Sequence, residues 1–287
     1  MVTDKAKCTE VKQNFERVLI EDAGAIANKR HVVYGIIQAD VTNAKKKIKD
    51  WNCTSPTKKL SFTAYIASCI GKVVAKDPHV QGYKVGGCLQ QNKIVIFQDV
   101  DLVVMIEPEE NKTAFPHIIR NVNKKTVEEI SKEISEANSR PFSSEQQYDS
   151  KKKTRIFTSM PKCLRMLIYR LMRRNPNTLK DMQGTVMLTS IGMFGKKGQG
   201  GIGITFLPMH TLGITLGGIS RKPWVVPNNN GIEEILPRDI LDITVSFDHD
   251  VVDGARGARF ASALIETIET AILDDETENP NQAEKKM

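Results

Sequence analysis

The chain has 287 residues, of which 40% are hydrophobic and 26% charged, and a formal net charge of +7. That length is enough to bury a sizeable core without staples, the composition is that of a globular chain, and the positive balance suits anionic ligands without choosing among them. No apolar run is long enough to span a bilayer, no signal-peptide pattern opens the chain, and the five cysteines (Cys8, Cys53, Cys69, Cys88, Cys163) are odd in number and widely spaced, which argues against a disulfide framework or structural zinc and for a reducing, cytoplasmic setting.

Taken in order, residues 1–29 are read as a lead-in and 32–40 as a strand. Thr42 is a candidate cap for a short basic helix carrying Ala44 and Ile48. Ser61 is a candidate cap for a second helix, in which Phe62, Ile66, Ile70, Val73 and Val74 recur at helical spacing. The β-branched residues between 93 and 106 predict two short strands around Gln98 and Asp99. Thr126 with Glu129 forms a capping-box pattern ahead of Val127, Ile130 and Ile134.

Residues 139–163 break this rhythm with Pro141, Pro161 and the run Lys151–Lys153. No acidic residue occurs between Ser150 and Lys180. Leu164, Leu167, Ile168 and Leu171 then recur at helical spacing among Arg165, Arg170, Arg173 and Arg174, and Pro176 is expected to stop that helix. This basic helix is read as packed on its own domain, a reading preferred over one in which it lies on an anionic membrane or covers an acyl chain. Strands follow at 185–191 and 211–219, separated by glycines from Gly192 to Gly203. Those glycines, with Lys196 and Lys197, are read either as a turn or as a phosphate approach. Leu241, Ile243, Val245 and Phe247 alternate in the manner of a half-buried strand. Phe260, Leu264, Ile268 and Ile272 mark a closing helix, and residues 273–287 read as a polar disordered tail. The mixture predicts a layered α/β (α+β) domain over residues 30–272, with the basic segment at 150–180 inside it.

The chemistry concentrates where the alternating strand ends. Continuing its period puts His249 on the face of Phe247, and a desolvated imidazole there favours the neutral form that accepts a proton. Asp253 and Gly254 follow, a carboxylate able to fix an arginine or cap backbone donors and a residue permissive of unusual backbone geometry. A histidine in this setting is also a common hydrogen-bonded structural residue, and the residues alone leave both readings open. The same period sends Asp248 and Asp250 away from His249, which counts against a metal site. Nucleic-acid binding has only the net charge in its favour.

The stretch Ser246–Ala255 with Ala258-Arg259-Phe260 resembles the His-x-x-x-Asp-Gly pattern of 2-oxo acid dehydrogenase acyltransferase catalytic domains, relatives of chloramphenicol acetyltransferase. Gly184–Gly195 and Leu212–Ile219 with Pro223-Trp224-Val225 resemble further family blocks, in the family's order. The resemblance implies a chloramphenicol acetyltransferase-like fold, a mixed sheet with flanking helices. It also implies acyl transfer between coenzyme A and a dihydrolipoyl-type thiol. In that scheme His249 deprotonates the thiol, Thr189 donates to the tetrahedral oxyanion, and Asp253 is held in a salt bridge, for which Arg30 is the candidate partner. Gly254 supports the turn, and Ser190 and Gly192 are the candidate coenzyme A contacts. A homotrimer or a larger assembly of trimers is implied, with His249 and Thr189 coming from different chains, a lipoyl-bearing protein as partner and no metal. Two alternatives accompany this reading: acyl transfer to a small-molecule hydroxyl, and a non-catalytic trimeric scaffold or regulatory subunit. Asp250 stands where many members carry arginine, and Thr189 where serine is commoner. The basic segment 150–180 is larger than usual, and the chain is expected to carry no lipoyl domain and no lipoyl group of its own.

Overall fold

The computed structural model describes residues 15–55, 58–87, 90–106, 115–139, 154–192, 198–228 and 230–273. Among the described residues there are eight strands: β1 (Val32–Asp40), β2 (Tyr83–Gly87), β3 (Gln90–Val95), β4 (Leu102–Ile106), β5 (Phe115–Ile119), β6 (Val186–Ser190), β7 (Leu212–Pro227) and β8 (Glu233–Asp248). Six of them form one mixed sheet in the order β1-β8-β7-β6-β4-β5, while β2 and β3 form a separate hairpin. Within the large sheet β4, β6 and β7 run parallel and the other pairs antiparallel.

Helices α2 (Thr42–Thr54), α3 (Phe62–Lys76), α4 (Val127–Ser139) and α7 (Gly254–Glu269) share the main core with that sheet. The reason is the spacing read from the sequence. Ile66, Ile70, Val73 and Val74 of α3 point into a core that also holds Leu102, Val104, Val186, Leu188, Ile214, Val245 and Phe247. Ser61 caps α3 by accepting from the Ala64 amide (3.0 Å). The capping box of α4 is complete, with the Thr126 amide donating to Glu129 Oε2 (2.9 Å) and the Glu129 amide to Thr126 Oγ1 (3.2 Å).

Several local expectations are corrected. Residues Phe15–Ala27, expected as lead-in, form helix α1. Thr42 is the first residue of α2 rather than its cap; its hydroxyl bonds Asp40 Oδ1 (2.5 Å) and accepts the Asp239 amide (2.8 Å). The basic helix α5 (Lys162–Met172) ends before Pro176, which instead opens helix α6 (Pro176–Gln183) behind the Asn175 cap. Proline costs nothing at a first helical position, where its missing N–H would be unpaired in any case. From Ile240 to Asp248, β8 is buried on both faces, not one. Its second face is covered by the chain around 200–207: the Gly201 amide donates to Asp242 Oδ2 (3.2 Å), and Leu207 packs over Gly213.

A second, smaller core lies apart from the first. Ile26 of α1, Tyr83 of β2, Leu179 of α6 and Met209 form it, with Phe97, Met166 and Tyr169 against them. Its links to the sheet are polar: Tyr83 donates to the Gly184 carbonyl (2.5 Å) and Thr211 to the Gly82 carbonyl (2.5 Å).

Candidate active site

At one end of the main sheet β8 runs into a turn held by several hydrogen bonds. β1 pairs with β8 so that Val32 lies opposite Asp248, and this register brings Arg30 to the end of β8. Arg30 Nε donates to Asp248 Oδ2 (3.0 Å), Nη2 donates to the same oxygen, and Nη1 donates to the Pro208 carbonyl (3.2 Å). Both side chains are buried, so this is a clamped charge pair rather than a surface one. Asp248 then organises the next residues. Its side chain accepts the Asp250 amide (3.2 Å), and its carbonyl accepts the Val251 and Val252 amides (both 3.0 Å).

His249 sits on this turn, with its own amide donating to the His31 carbonyl (2.8 Å). The backbone is pinned while the imidazole is exposed. The expected desolvation of His249 by its own sheet is therefore not observed, because β8 ends at Asp248 and the ring lies beyond the covered part. Among the described residues no side chain holds the ring. Next to it, Asp250 accepts from Lys84 Nζ (2.9 Å) and bonds His31 Nδ1 (2.9 Å). The Lys84 hydrogen bond, then that of His31, holds the Asp250 carboxyl below the usual carboxylate range. His31 and Lys84 carried no signal in the sequence; only the β1–β8 register and the β2 hairpin bring them here.

The expected Asp253–Arg30 bridge is replaced by Asp248–Arg30. Asp253 has turned away to cap α7, accepting the Arg256 amide at 2.7 Å. That bond, with the charges of Arg256 and Arg259, lowers its pKa. Gly254 is the first residue of α7, and a Cβ there meets nothing within 4 Å, so the turn's backbone does not demand glycine.

Thr189 lies near the end of β6, half-buried and level with Thr215 of β7, which in turn faces Thr244 of β8. Paired residues of neighbouring strands share a face, so these three hydroxyls point the same way, with Ser246 one step along. The Thr215, Thr244 and Ser246 hydroxyls are buried and have no partner among the described residues. They form a polar row within an otherwise apolar part of the sheet. Sequence reasoning found Thr189 but not the row, since the other three sit between apolar strand residues. From the level of Thr189, at Thr244, to the end of β8 at Asp248 is four residues, about 13 Å, and His249 lies one residue further on the turn. One chain therefore does not bring the two candidate groups together.

Ser190 and Gly192 lie just beyond Thr189. A Cβ on Gly192 would overlap the Gly217 carbonyl oxygen, and one on Gly217 would overlap the Gly201 carbonyl oxygen. These glycines let three backbone segments touch, an arrangement fixed by the Gly218 amide donating to the Gly201 carbonyl (2.8 Å). Beside this contact a small cavity of about 180 Å³ is lined by Gly192, Gln199, Gly200 and Gly201, while Lys196 and Lys197, the cations of the candidate phosphate approach, lie outside the described residues.

A mixed sheet backed by helices, ending on a pinned histidine turn, defines the class: a chloramphenicol acetyltransferase-like fold. Among solved structures, a probable dihydrolipoamide acetyltransferase from Listeria monocytogenes superposes with a TM-score of 0.67 at 17% identity, covering 94% of this chain and 97% of that one. Chloramphenicol acetyltransferase superposes at a TM-score of 0.50 and 10% identity, covering 91% of this chain and 100% of that one. In sequence, residues 164–273 match the family model described as 2-oxoacid dehydrogenases acyltransferase (catalytic domain). The dihydrolipoyllysine-residue acetyltransferase component of the Haemophilus influenzae pyruvate dehydrogenase complex is 29% identical over 232 residues, 79% of this chain and 33% of that protein. The Bacillus subtilis lipoamide acyltransferase component of the branched-chain alpha-keto acid dehydrogenase complex is 24% identical over 246 residues, 84% of this chain and 47% of that protein. The chain is thus similar, over residues 164–273, to the catalytic domain of 2-oxo acid dehydrogenase acyltransferases, and it spans between a third and a half of the length of these two relatives.

Proposed function

We propose that this protein is an acyltransferase that moves an acyl group between coenzyme A and a thiol of the dihydrolipoyl type. The observation that carries this reading is the His249 turn, rigid in its backbone and open at its ring. His249 takes the thiol proton, and the thiolate sulfur bonds the thioester carbonyl carbon. The tetrahedral oxyanion accepts from Thr189, a kind of contact worth on the order of 3 kcal/mol. The old carbon–sulfur bond then breaks, and the imidazolium returns its proton to the departing sulfur.

The separation of about 13 Å along β8, with His249 beyond its end, supports a site shared between copies, with His249 of one chain meeting Thr189 of the next. A homotrimer, or an assembly of trimers, supplies that meeting and desolvates the exposed ring. Under this reading Asp248 and Arg30 are the positioning pair, acting through the turn, and Asp253 sets the start of α7. The partner is a lipoyl-bearing protein, no metal is required, and the setting is cytoplasmic.

The test is acyl transfer from acetyl-CoA to dihydrolipoamide. Loss of the base in His249→Ala is expected to lower kcat/KM by about 10²–10⁴-fold. Equal rates in the two proteins would remove His249 from the chemistry. Transfer to small-molecule alcohols but not to thiols would move the protein to the O-acyl branch.

A further inference from the structure

We propose that α5, together with the helical turn at 154–159, is a docking face for an anionic lipid surface. The inference is independent of the acyl-transfer reading and begins with an inversion. The sequence predicts that Leu164, Leu167, Ile168 and Leu171 form the packed stripe of this helix. In the structure Leu164, Leu167 and Leu171 are 43%, 51% and 51% exposed, and Ile156 of the preceding turn is 54% exposed.

The buried residue of α5 is Arg165, at 7% exposure. Its Nε donates to Asp22 Oδ2 (2.6 Å), its Nη2 to Asp22 Oδ1 (3.0 Å) and its Nη1 to the Met160 carbonyl (2.5 Å). Asp22, on α1, is fully buried. Met166 and Tyr169 follow on the inner side, against the small core. A bidentate charge pair fixes which side of a helix faces inward, because an unpaired arginine or aspartate left there is far costlier than an exposed leucine. The helix is therefore held with its apolar stripe outward.

One margin of that stripe is cationic: Arg170 and Arg174 are exposed beside it, Arg155 is exposed on the preceding turn, and no acidic residue lies between Ser150 and Lys180. Apolar side chains at the centre and cations at the edges are what an interfacial helix offers to headgroups and the first acyl carbons. A two-fold contact with a second copy would bring Arg170 and Arg174 against like charge, and a contact around a trimer would show instead as a changed oligomeric state in the leucine variant. A nucleic acid would satisfy the cations and leave the leucines in water. No helix among the described residues is long and apolar enough to cross a membrane, so the proposed contact is peripheral.

Cosedimentation tests this with vesicles of phosphatidylcholine alone and of phosphatidylcholine mixed with one-third phosphatidylglycerol. The full chain is expected to pellet with the mixed vesicles, less at high salt, and to stay in solution with phosphatidylcholine alone. The double variant Leu167→Asp/Leu171→Asp changes only exposed positions and is expected to weaken vesicle binding at least about tenfold. Arg170→Glu/Arg174→Glu is expected to do the same and serves if the leucine variant does not fold. Three outcomes overturn the proposal: no pelleting in excess anionic lipid, undiminished pelleting by both variants, or a leucine variant that changes the oligomeric state in light scattering while vesicle binding is unchanged.

Discussion

Helices α3 and α5 carry the same kind of message in sequence, with apolar residues at three- and four-residue intervals, and they meet opposite fates. The α3 stripe is the centre of the main core, with Ile66 and Ile70 at 0% exposure. The α5 stripe faces outward, and an arginine takes the inner position. The difference lies in what each helix packs against. α3 lies on an apolar sheet face, whereas α5 lies on α1, where Asp22 is buried and needs a cation. Periodicity states that a stripe exists; the surface opposite decides whether it is covered.

Removing either anchor breaks the comparison most directly. Arg165→Ala leaves Asp22 buried without its partner, and a loss of about 3–5 kcal/mol in chemical denaturation is expected. A loss below about 1 kcal/mol, the range of surface pairs, would mean that α5 is not fixed by this pair. Ile70→Ala in α3 opens a cavity in the main core, and about 2–5 kcal/mol is expected.

Changes of pH sharpen the same division. His210 lies beside Met209 of the small core and donates through Nε2 to the Gln183 carbonyl (2.7 Å). Burial pushes its pKa down from 6.5 to about 4, the Gln183 bond opposing it. The folded state holds this ring neutral while the unfolded chain binds a proton more readily. The stability it supports is therefore full above pH 6.5 and is lost as the pH falls toward 4. In His210→Gln, urea denaturation should show a flatter fall in stability across that window, and an unchanged slope would mean that His210 does not control it. Exchanges in α3 should leave the slope as it is.

The smallest effect belongs to the outward stripe. Leu167→Ala is expected to change stability by no more than about 0.5 kcal/mol, against the larger loss for Ile70→Ala. A cost of 2 kcal/mol or more, in the range of buried leucines, would show that the stripe is covered in solution.

The candidate site divides along similar lines. His249 and Thr189 were visible in the sequence because each ends or nearly ends a strand that carries a recognisable block. The pairing of Arg30 was misassigned to Asp253, since nothing local says that β1 runs antiparallel beside β8 and delivers Arg30 to Asp248. His31 and Lys84 around Asp250, and the hydroxyl row of Thr215, Thr244 and Ser246, were invisible for the same reason. Each is an ordinary residue until strand pairing sets it beside the others. Helix α1 carries an apolar stripe as clear as that of α3, so reading residues 1–29 as a lead-in overlooks a signal that the sequence does hold.

The sequence by itself determined the elements governed by local rules. These are the Ser61 cap, the Thr126–Glu129 box, the span of β1 and the helical stripes, all set by backbone hydrogen bonding and side-chain period within a few residues. Tertiary structure alone decided which stripe is buried, which aspartate takes Arg30, and how far Thr189 stands from His249. Those outcomes depend on strand register and on buried charge, and both are properties of segments distant in the chain that meet only when the sheet closes.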